Sequence, residues 1–236
     1  MTGTPGFGER IFRAIYPTYR YRWEVYNDLL TRMISEKTVW VDIGCGDNQS
    51  VAEHGGRAAT ALGLDLVIHS KLQCPNFVQA SMRTLPFRSE SIDLITLRMV
   101  VEHLEKIPGD FCEIERVLKP GGRVLFMTSN RLSPVVFLPK LLSYGMRKWL
   151  IRKIFRVEDE DVFPTFHNFN TPSRVRDGVL SLRPERVLML EQVTLTRPLL
   201  CLIFGLWYML LQWSRLADFR TTLLAVLRKG DVTSDL

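Results

Sequence analysis

The chain has few cysteines and none of the cysteine patterns that hold metals or cross-link small folds. Its four cysteines lie far apart, with no CxxC and no Cys/His pair. They are Cys45, Cys74, Cys112 and Cys201. Neither a zinc site nor a disulfide framework is therefore predicted, and the thiols are expected to be reduced.

Long apolar runs and a secretory leader pattern are also absent. No apolar run reaches the ~18–20 residues that a spanning helix requires. The first residues, MTGTPGFGER, lack the basic, apolar and small-residue zones of a signal peptide. A cytoplasmic location is the expectation. With 236 residues and 46% hydrophobic content, the chain is expected to form a single domain over 1–236.

Acidic residues are missing from one segment, between Arg131 and Arg156, which holds seven basic residues. The acids at 158–161 then reverse the sign. This segment can account for the net charge of +6. A charge run is most often a solvated face, and an anionic surface is the alternative partner.

Short apolar runs alternate with helical patterns along the rest of the chain. Seven runs predict strands at 38–44, 59–66, 76–81, 91–98, 123–129, 185–195 and 221–229. Helical spacing covers 8–35, broken at Pro17, and 100–118. The alternation favours an α/β fold with a mostly parallel sheet and helices on both faces.

The stretch VDIGCGDN ends the first predicted strand. Gly44 and Gly46 lie where ligands of doubly wound folds bind, and glycine permits positive φ and close approach. A dinucleotide motif would have a third glycine where Gln49 stands, and Asp47 would repel a pyrophosphate. Asp65 lies at the end of the second predicted strand, about 20 residues after Gly46. A carboxylate at this place can accept hydrogen bonds from ribose hydroxyls. The pattern argues for a nucleoside cofactor other than NAD.

Four blocks in order carry a family resemblance: VDIGCGDN, GLDL, SMRTLPFRSESIDLITLRMVVEHL and EIERVLKPGGRVLFMTSNR. Together they resemble a class I S-adenosylmethionine-dependent methyltransferase of the type 11-like group that acts on small molecules, lipids and sugars. The resemblance covers 38–131. It implies a Rossmann-like sheet of seven strands with helical inserts after strand 5 and between strands 6 and 7.

The resemblance also implies a division of the chain around the sheet. Residues 1–36 would form an N-terminal helical cap, 132–170 a substrate-side insert, and 198–216 an apolar helix.

The resemblance implies a set of residues that contact S-adenosylmethionine. They are Asp42, Gly44 and Gly46 at the methionine part, Asp65 at the ribose, Leu66, Ser81 and Met82 at the adenine, and Arg98 near the substrate. Ser81 stands where the family commonly has an aspartate, so its bond to the adenine amino group would be weaker than that of a charged acceptor. S-adenosylhomocysteine would be the product.

Methyl transfer requires little of the protein beyond positioning the acceptor and, for a hydroxyl, removing its proton. Histidine suits that task near neutral pH, and the candidates are His167 and His103. A structural role is favoured for His103. Asn130 and Asn168 are candidate substrate contacts, although an asparagine after a strand also closes turns. No metal is required.

The acceptor is less well indicated than the cofactor. LRMV at 97–100 stands where an N/D-P-P-Y/F motif would mark methylation of a base or amide nitrogen, which argues against a nucleic-acid substrate. The favoured hypothesis is O-methylation of a small-molecule, sugar or lipid-linked acceptor. An RNA methyltransferase is one alternative. A non-catalytic adenosylmethionine-binding module acting on a membrane or protein partner is the other.

Two apolar segments remain to be placed. Residues 137–156 mix aromatic and aliphatic side chains with basic ones, and 198–213 are apolar around most of a helical circumference. At ~1.5 Å per residue the second segment is too short to span a bilayer of ~30 Å. It is predicted either to pack in the core or in a homodimer interface, or to contact an anionic membrane.

Overall fold

The computed structural model describes residues 13–17, 19–137, 164–191, 205–212 and 214–230. Seven strands form one sheet. They are β1 (Val39–Ile43), β2 (Thr60–Asp65), β3 (Phe77–Gln79), β4 (Ile92–Arg98), β5 (Leu118–Ser129), β6 (Leu182–Leu190) and β7 (Thr222–Lys229). All seven overlap the predicted strands. The strand predicted at 185–195 corresponds to β6, and its last residues, 192–195, lie outside the described residues.

The strand order is β3-β2-β1-β4-β5-β7-β6. The pairs from β3 through β5 are parallel, and β7 runs antiparallel to both β5 and β6. The predicted mostly parallel sheet is confirmed. β4 is buried along nearly its whole length, as expected for a strand covered on both faces.

Five α-helices with described bounds accompany the sheet. They are α1 (Arg22–Met33), α2 (Gln49–His54), α3 (Cys112–Val117), α4 (Pro134–Phe137) and α5 (Pro172–Asp177). Short 3₁₀ segments occupy Gly55–Arg57, Val101–His103, Gly109–Phe111 and Ser214–Phe219. Residues 13–15 and 205–210 are also helical.

The predicted helix over 100–118 is wrong in extent. The chain makes a 3₁₀ turn at Val101–His103, and an α-helix forms only at Cys112–Val117. Pro108 lies between them, and it has no N–H to donate and disfavours helical conformation in the residue before it. The Asp110 carboxylate instead accepts the backbone N–H of Lys106 at 2.7 Å, which fixes this loop.

The predicted inserts are only partly visible. Residues 138–163 and 192–204 lie outside the described residues, so most of the 132–170 insert and the first part of the 198–216 helix are not covered. Within the ranges that are covered, no helix has both the length and the apolar character needed to cross a membrane.

Two hydrophobic clusters cover the two faces of the sheet. On one face α1 packs through Tyr26 and Leu30 against Trp40 of β1 and Leu125 of β5. The other face holds a larger cluster that includes Phe111, Phe126 and Phe169. Because both faces are covered, the loops at the carboxyl ends of β1, β2, β4 and β5 provide the edge at which ligands of such sheets bind.

Candidate active site

The turn after β1 depends on glycine at Gly44 and leaves open space at Gly46. Gly44 has φ +70°, and an added Cβ would lie 2.3 Å from Cγ2 of Val100. Gly46 has φ +59°, and an added Cβ would meet no atom within 4 Å. The backbone is therefore packed tightly on its inner side and accessible to a ligand on its outer side.

Asp65 ties this turn to the end of β2. Its Oδ2 accepts the N–H of Gly46 at 2.9 Å, and its Oδ1 accepts the N–H of Val67 at 3.2 Å. The carboxylate retains further lone pairs at the sheet edge. This is the position that the sequence predicted for a ribose-binding acid.

Asn48 is a residue of this turn that the sequence analysis did not single out. It is fully buried with φ +62°, and its Nδ2 donates to the carbonyls of Cys74 (3.0 Å) and Asn76 (2.9 Å). Gly63 makes room for it, since an added Cβ there would lie 2.1 Å from the Asn48 Oδ1. The sequence could have indicated this role, because asparagine adopts the left-handed conformation more readily than most residues and Asn48 closely follows the glycine turn.

Asp42 is buried beneath the turn with half of its carboxylate unpaired. Oδ1 accepts the hydroxyl of Thr96, which in turn accepts Nε1 of Trp40 at 2.9 Å. Oδ2 is buried and has no hydrogen-bond partner. Burial raises the pKa of Asp42 to about 6, and the Thr96 hydrogen bond and the charge of Arg98 oppose the rise. An ammonium group at Oδ2 would satisfy this oxygen, which fits the amino group of S-adenosylmethionine.

The proposed adenine side is apolar and exposed. Leu66 is 58% exposed, and its carbonyl accepts Nε2 of Gln79 at 2.9 Å. Met82 packs partly on the core, and Ser81 Oγ accepts the N–H of Arg83 at 3.2 Å. The Ser81 hydroxyl can still donate to a ligand, whereas the aspartate common in the family could only accept.

Arg98 ends β4 beside Asp42. Its guanidinium carbon lies 5.7 Å from the centroid of the Trp23 ring in α1. None of the ion pairs between described residues involves Arg98. It therefore adds positive charge at the carboxyl end of β4, between the predicted cofactor residues of β1 and the carboxyl end of β5.

The two candidate histidines lie on loops that contact each other. The carbonyl of Glu102 accepts the N–H groups of Phe166 (2.8 Å) and His167 (3.1 Å). His167 is buried, has φ +53°, and places Nδ1 3.5 Å from Oγ of Ser129 at the end of β5. His103 is half-buried, with Nδ1 3.0 Å from the carbonyl oxygen of Pro164. His167 is thus the histidine held against the strand end.

The candidate substrate asparagines both bond to backbone. Asn130 is fully buried; its Nδ2 donates to the carbonyls of Asp218 and Arg220, each at 2.7 Å, and its Oδ1 accepts from Leu132. Asn168 donates through Nδ2 to the carbonyl of Glu105 at 2.8 Å. These bonds fasten the loops that border the carboxyl edge.

Glu102 is a second residue that the sequence analysis left without a role. Its buried Oε2 accepts the Thr128 hydroxyl at 2.6 Å, and Asn170 donates Nδ2 to the same Thr128 oxygen. Burial raises the pKa of Glu102, and the Thr128 hydrogen bond opposes the rise. The backbone and the side chain of Glu102 together hold the 164–170 loop against β5.

One hollow of the described surface lies away from this site. It has a volume of about 320 Å³ and is lined by residues such as Ser35, Asp93 and Gly122. These residues border the amino ends of the strands, opposite the Gly46 turn, so the hollow has no part in cofactor binding.

The strand order, the glycine turn and the two strand-end acids define a doubly wound domain of the class I methyltransferase type. Residues 41–126 match a protein-family model described as "Methyltransferase domain". The resemblance of the four sequence blocks to S-adenosylmethionine-dependent methyltransferases is thereby confirmed for this segment, and S-adenosylmethionine is the cofactor of that class.

Curated relatives match parts of the chain. Demethylmenaquinone methyltransferase of Tropheryma whipplei is 29% identical over 93 residues, which cover 36% of this chain and 39% of the relative. Ubiquinone biosynthesis O-methyltransferase of Methylococcus capsulatus is 28% identical over 157 residues, covering 60% of this chain and 62% of the relative. The matched region spans less than two thirds of either relative.

A solved structure matches most of the chain in fold. The S-adenosylmethionine-dependent methyltransferase of Mesorhizobium loti superposes with a TM-score of 0.53 at 17% identity. The superposition covers 88% of this chain and 97% of that one. The likeness establishes the shared fold.

Asp42 generates a prediction about stability. Because the folded protein holds the Asp42 proton more tightly than the unfolded chain, the stabilisation is complete below about pH 3.8 and is lost as the pH rises through about 6. Asp42→Asn should therefore raise the free energy of unfolding of the ligand-free protein at pH 7.5, by up to ~3 kcal/mol. The gain should shrink as the pH falls to 4.5.

Urea unfolding of both proteins between pH 4.5 and 7.5 measures this difference. The control is Asp28→Asn, an exposed aspartate of α1, which should give no comparable gain. A gain for Asp42→Asn that stays constant over the whole pH range would show that the Asp42 carboxyl does not titrate there.

Proposed function

We propose that the protein is an S-adenosylmethionine-dependent methyltransferase that methylates an oxygen of a small-molecule, sugar or lipid-linked acceptor. The observation that carries the cofactor assignment is the unpartnered Oδ2 of Asp42 beneath the open Gly46 turn, with Asp65 beside it. Asp42 offers a carboxylate to the ammonium group, the Gly46 turn leaves the backbone accessible, and Asp65 offers a carboxylate to the ribose. The three follow one another as the corresponding parts of the cofactor do.

In this proposal each part of the cofactor is held by residues already described. Asp42 and the Gly44–Gly46 turn hold the methionine part, Asp65 holds the ribose, and Leu66 offers apolar surface to the adenine. When bound, S-adenosylmethionine supplies an electrophilic methyl group. The protein is then needed mainly to orient the acceptor and to exclude water.

His167 is our candidate for the group that accepts the acceptor's hydroxyl proton. Burial near Ser129 keeps the ring in one place, and the bond from its backbone N–H to Glu102 fixes the loop that carries it. In methyl transfer to a hydroxyl, the imidazole of His167 would take the proton of the acceptor oxygen as the methyl group passes to that oxygen from the sulfonium, which leaves as the thioether of S-adenosylhomocysteine. His103 contacts the same loop at a different residue, through the carbonyl oxygen of Pro164, and we assign it a structural role.

The names of two relatives concern methylation in quinone chemistry. One relative is named for ubiquinone biosynthesis and O-methylation and another for demethylmenaquinone. For this chain we propose a lipid-linked hydroxyl compound as the preferred acceptor within the wider class.

The cofactor proposal predicts the effect of removing Asp65. Asp65→Ala should weaken binding of S-adenosylhomocysteine by ~1.5–3 kcal/mol, the range for hydrogen bonds to a charged group. Isothermal calorimetry measures it, with Asp28→Ala as the control that keeps full affinity. NAD binding by the wild-type protein, or unchanged affinity in Asp65→Ala, would contradict the assignment. Cofactor binding without turnover on any acceptor would favour the non-catalytic alternative.

The base proposal predicts different effects for the two histidines. His167→Ala should lower kcat by ~10²–10⁴ while affinity for S-adenosylhomocysteine is retained, because the ring acts on the acceptor. His103→Ala is the matched control and should keep kcat within a few-fold. Turnover is followed by release of S-adenosylhomocysteine. Equal losses of cofactor affinity and kcat in His167→Ala would instead indicate a folding role.

Apolar side chains of the 205–210 helix support association with a membrane surface. Leu206, Met209 and Leu210 are 53%, 49% and 43% exposed, and they lie within one and a half turns. The sequence of the 131–156 segment adds seven basic residues without an acid. We propose that these features bring the enzyme to anionic membranes, where a lipid-linked acceptor would be found. Each basic residue near such a surface contributes about 1 kcal/mol.

Vesicle sedimentation tests this proposal. Leu206→Gln combined with Leu210→Gln should reduce binding to anionic vesicles at low salt, and added salt should weaken wild-type binding. Neutral vesicles serve as the control. No binding to anionic vesicles would refute the proposal, and dimerisation that the double variant abolishes would assign the same helix to a homodimer interface.

A further inference from the structure

Arg22 presents a half-buried guanidinium at the carboxyl edge of the sheet. It is the first residue of α1, and its Nη1 lies 3.4 Å from Oγ1 of Thr222, a long hydrogen bond. Its guanidinium carbon lies 4.7 Å from the centroid of the Trp23 ring. Its Nε is buried and has no hydrogen-bond partner. The side chain thus has a donor without a partner beside Thr222, the first residue of β7.

No carboxylate among the described residues neutralises this charge at contact distance. The ion pairs between described residues include neither Arg22 nor Arg98, whose guanidinium shares the Trp23 ring. Burial lowers the pKa of Arg22, and the nearby Tyr21 and Glu102 only partly oppose this. A desolvated cation without a paired anion is unfavourable, so an anion that enters the site would be bound strongly.

The strand order places Arg22 away from the cofactor residues. Thr222 begins β7 and pairs with Ser129 of β5. β7 is three strands from β1, which carries Asp42, and strands lie 4.7–4.9 Å apart, so the two positions are separated by about 14 Å. Arg98 lies between them, at the end of β4. Arg22 and His167 thus contact paired residues of β7 and β5, Thr222 and Ser129, on the side that we propose for the acceptor.

Aromatic side chains join the segment that leads into α1 to the 205–210 helix. The hydroxyl of Tyr16 donates to the carbonyl of Gly205 at 3.0 Å. The ring of Tyr208 lies 5.0 Å from that of Tyr16 and 5.4 Å from that of Tyr19, between centroids. The segment before α1 is thereby joined to the 205–210 helix, close along the chain to Arg22.

We propose that Arg22 binds an oxyanion of the acceptor, so that the substrates of this enzyme are acidic: carboxylates or phosphates. The inference rests on the proposed methyltransferase function and narrows its acceptor class. A carboxylate on a hydroxylated ring and the phosphate of a lipid-linked compound both present oxygens that match a guanidinium. Arg22 would orient the acceptor through this contact, with its hydroxyl toward His167.

Nitrogen-15 NMR of the Arg22 Nε–H group, in protein saturated with S-adenosylhomocysteine, tests the inference. The resonance is assigned by its loss in Arg22→Gln. Adding benzoate or inorganic phosphate should shift it saturably, and neutral benzyl alcohol should not. A stronger response to benzoate would identify a carboxylate acceptor, and a stronger response to phosphate a phosphorylated one. If neither anion produces a saturable shift, the inference is wrong.

Calorimetry with the same anions tests whether Arg22 binds an oxyanion of the acceptor or the carboxylate of the cofactor. Arg22→Gln should weaken anion binding by about 10-fold to 100-fold, Arg22→Lys by less, and both should retain affinity for S-adenosylhomocysteine. The control is Arg20→Gln, an exposed arginine paired with Asp28, which should change neither affinity. Loss of cofactor affinity with unchanged anion binding would assign Arg22 to the cofactor's carboxylate and overturn the inference.

The same measurements separate this inference from the proposed function. A wild-type protein that does not bind S-adenosylhomocysteine would refute the proposed function itself. Normal cofactor binding without an anion response at Arg22 would refute only the acidic acceptor.

Discussion

The hydrogen bond from the Gly46 amide to the Asp65 carboxylate joins the end of β1 to the end of β2, and the geometry of the site depends on it. It fixes a turn that Gly44 allows to pack against Val100 and that Asn48 anchors to the β2–β3 connection. Because the turn is held from below, its outer surface at Gly46 is preformed. Such preorganisation lowers the entropy lost when a ligand binds.

Several charged groups at the carboxyl edge are kept in unfavourable surroundings. Asp42 and Glu102 are buried carboxyls whose pKa values burial raises, and Arg22 is a half-buried guanidinium whose pKa partial burial lowers. Each would be more stable in water or with a full complement of partners. Groups of this kind cluster at functional sites, because a ligand can supply the interactions that the free protein lacks. The unfavourable surroundings of these groups and their capacity to bind a ligand thus have the same origin.

The side that we propose for the acceptor is assembled from parts of the chain that are distant in sequence. The segment before α1 and the 205–210 helix meet through Tyr16, Tyr19 and Tyr208, while Glu102 holds the loop of His167 against β5. The cofactor side, by contrast, is built almost entirely within residues 42–98. This division matches the extent of the family match, which ends at 126. A domain that keeps its cofactor half and varies its acceptor half can serve many substrates with one fold.

Sequence alone determined the seven strands, their mostly parallel arrangement and the glycine turn after β1, because strand patterns and glycine turns are local signals; its cofactor residues stay a prediction. It did not determine the extent of helical structure after β4, where Pro108 overrode a helical spacing. Nor did it reveal Asn48, Glu102 or Arg22. Their partners, such as Asn76, Thr128 and Thr222, lie far away along the chain, and polar side chains acquire these roles only when folding removes water from around them. Which charges are buried, and which of their atoms are left without partners, was decided by the tertiary structure.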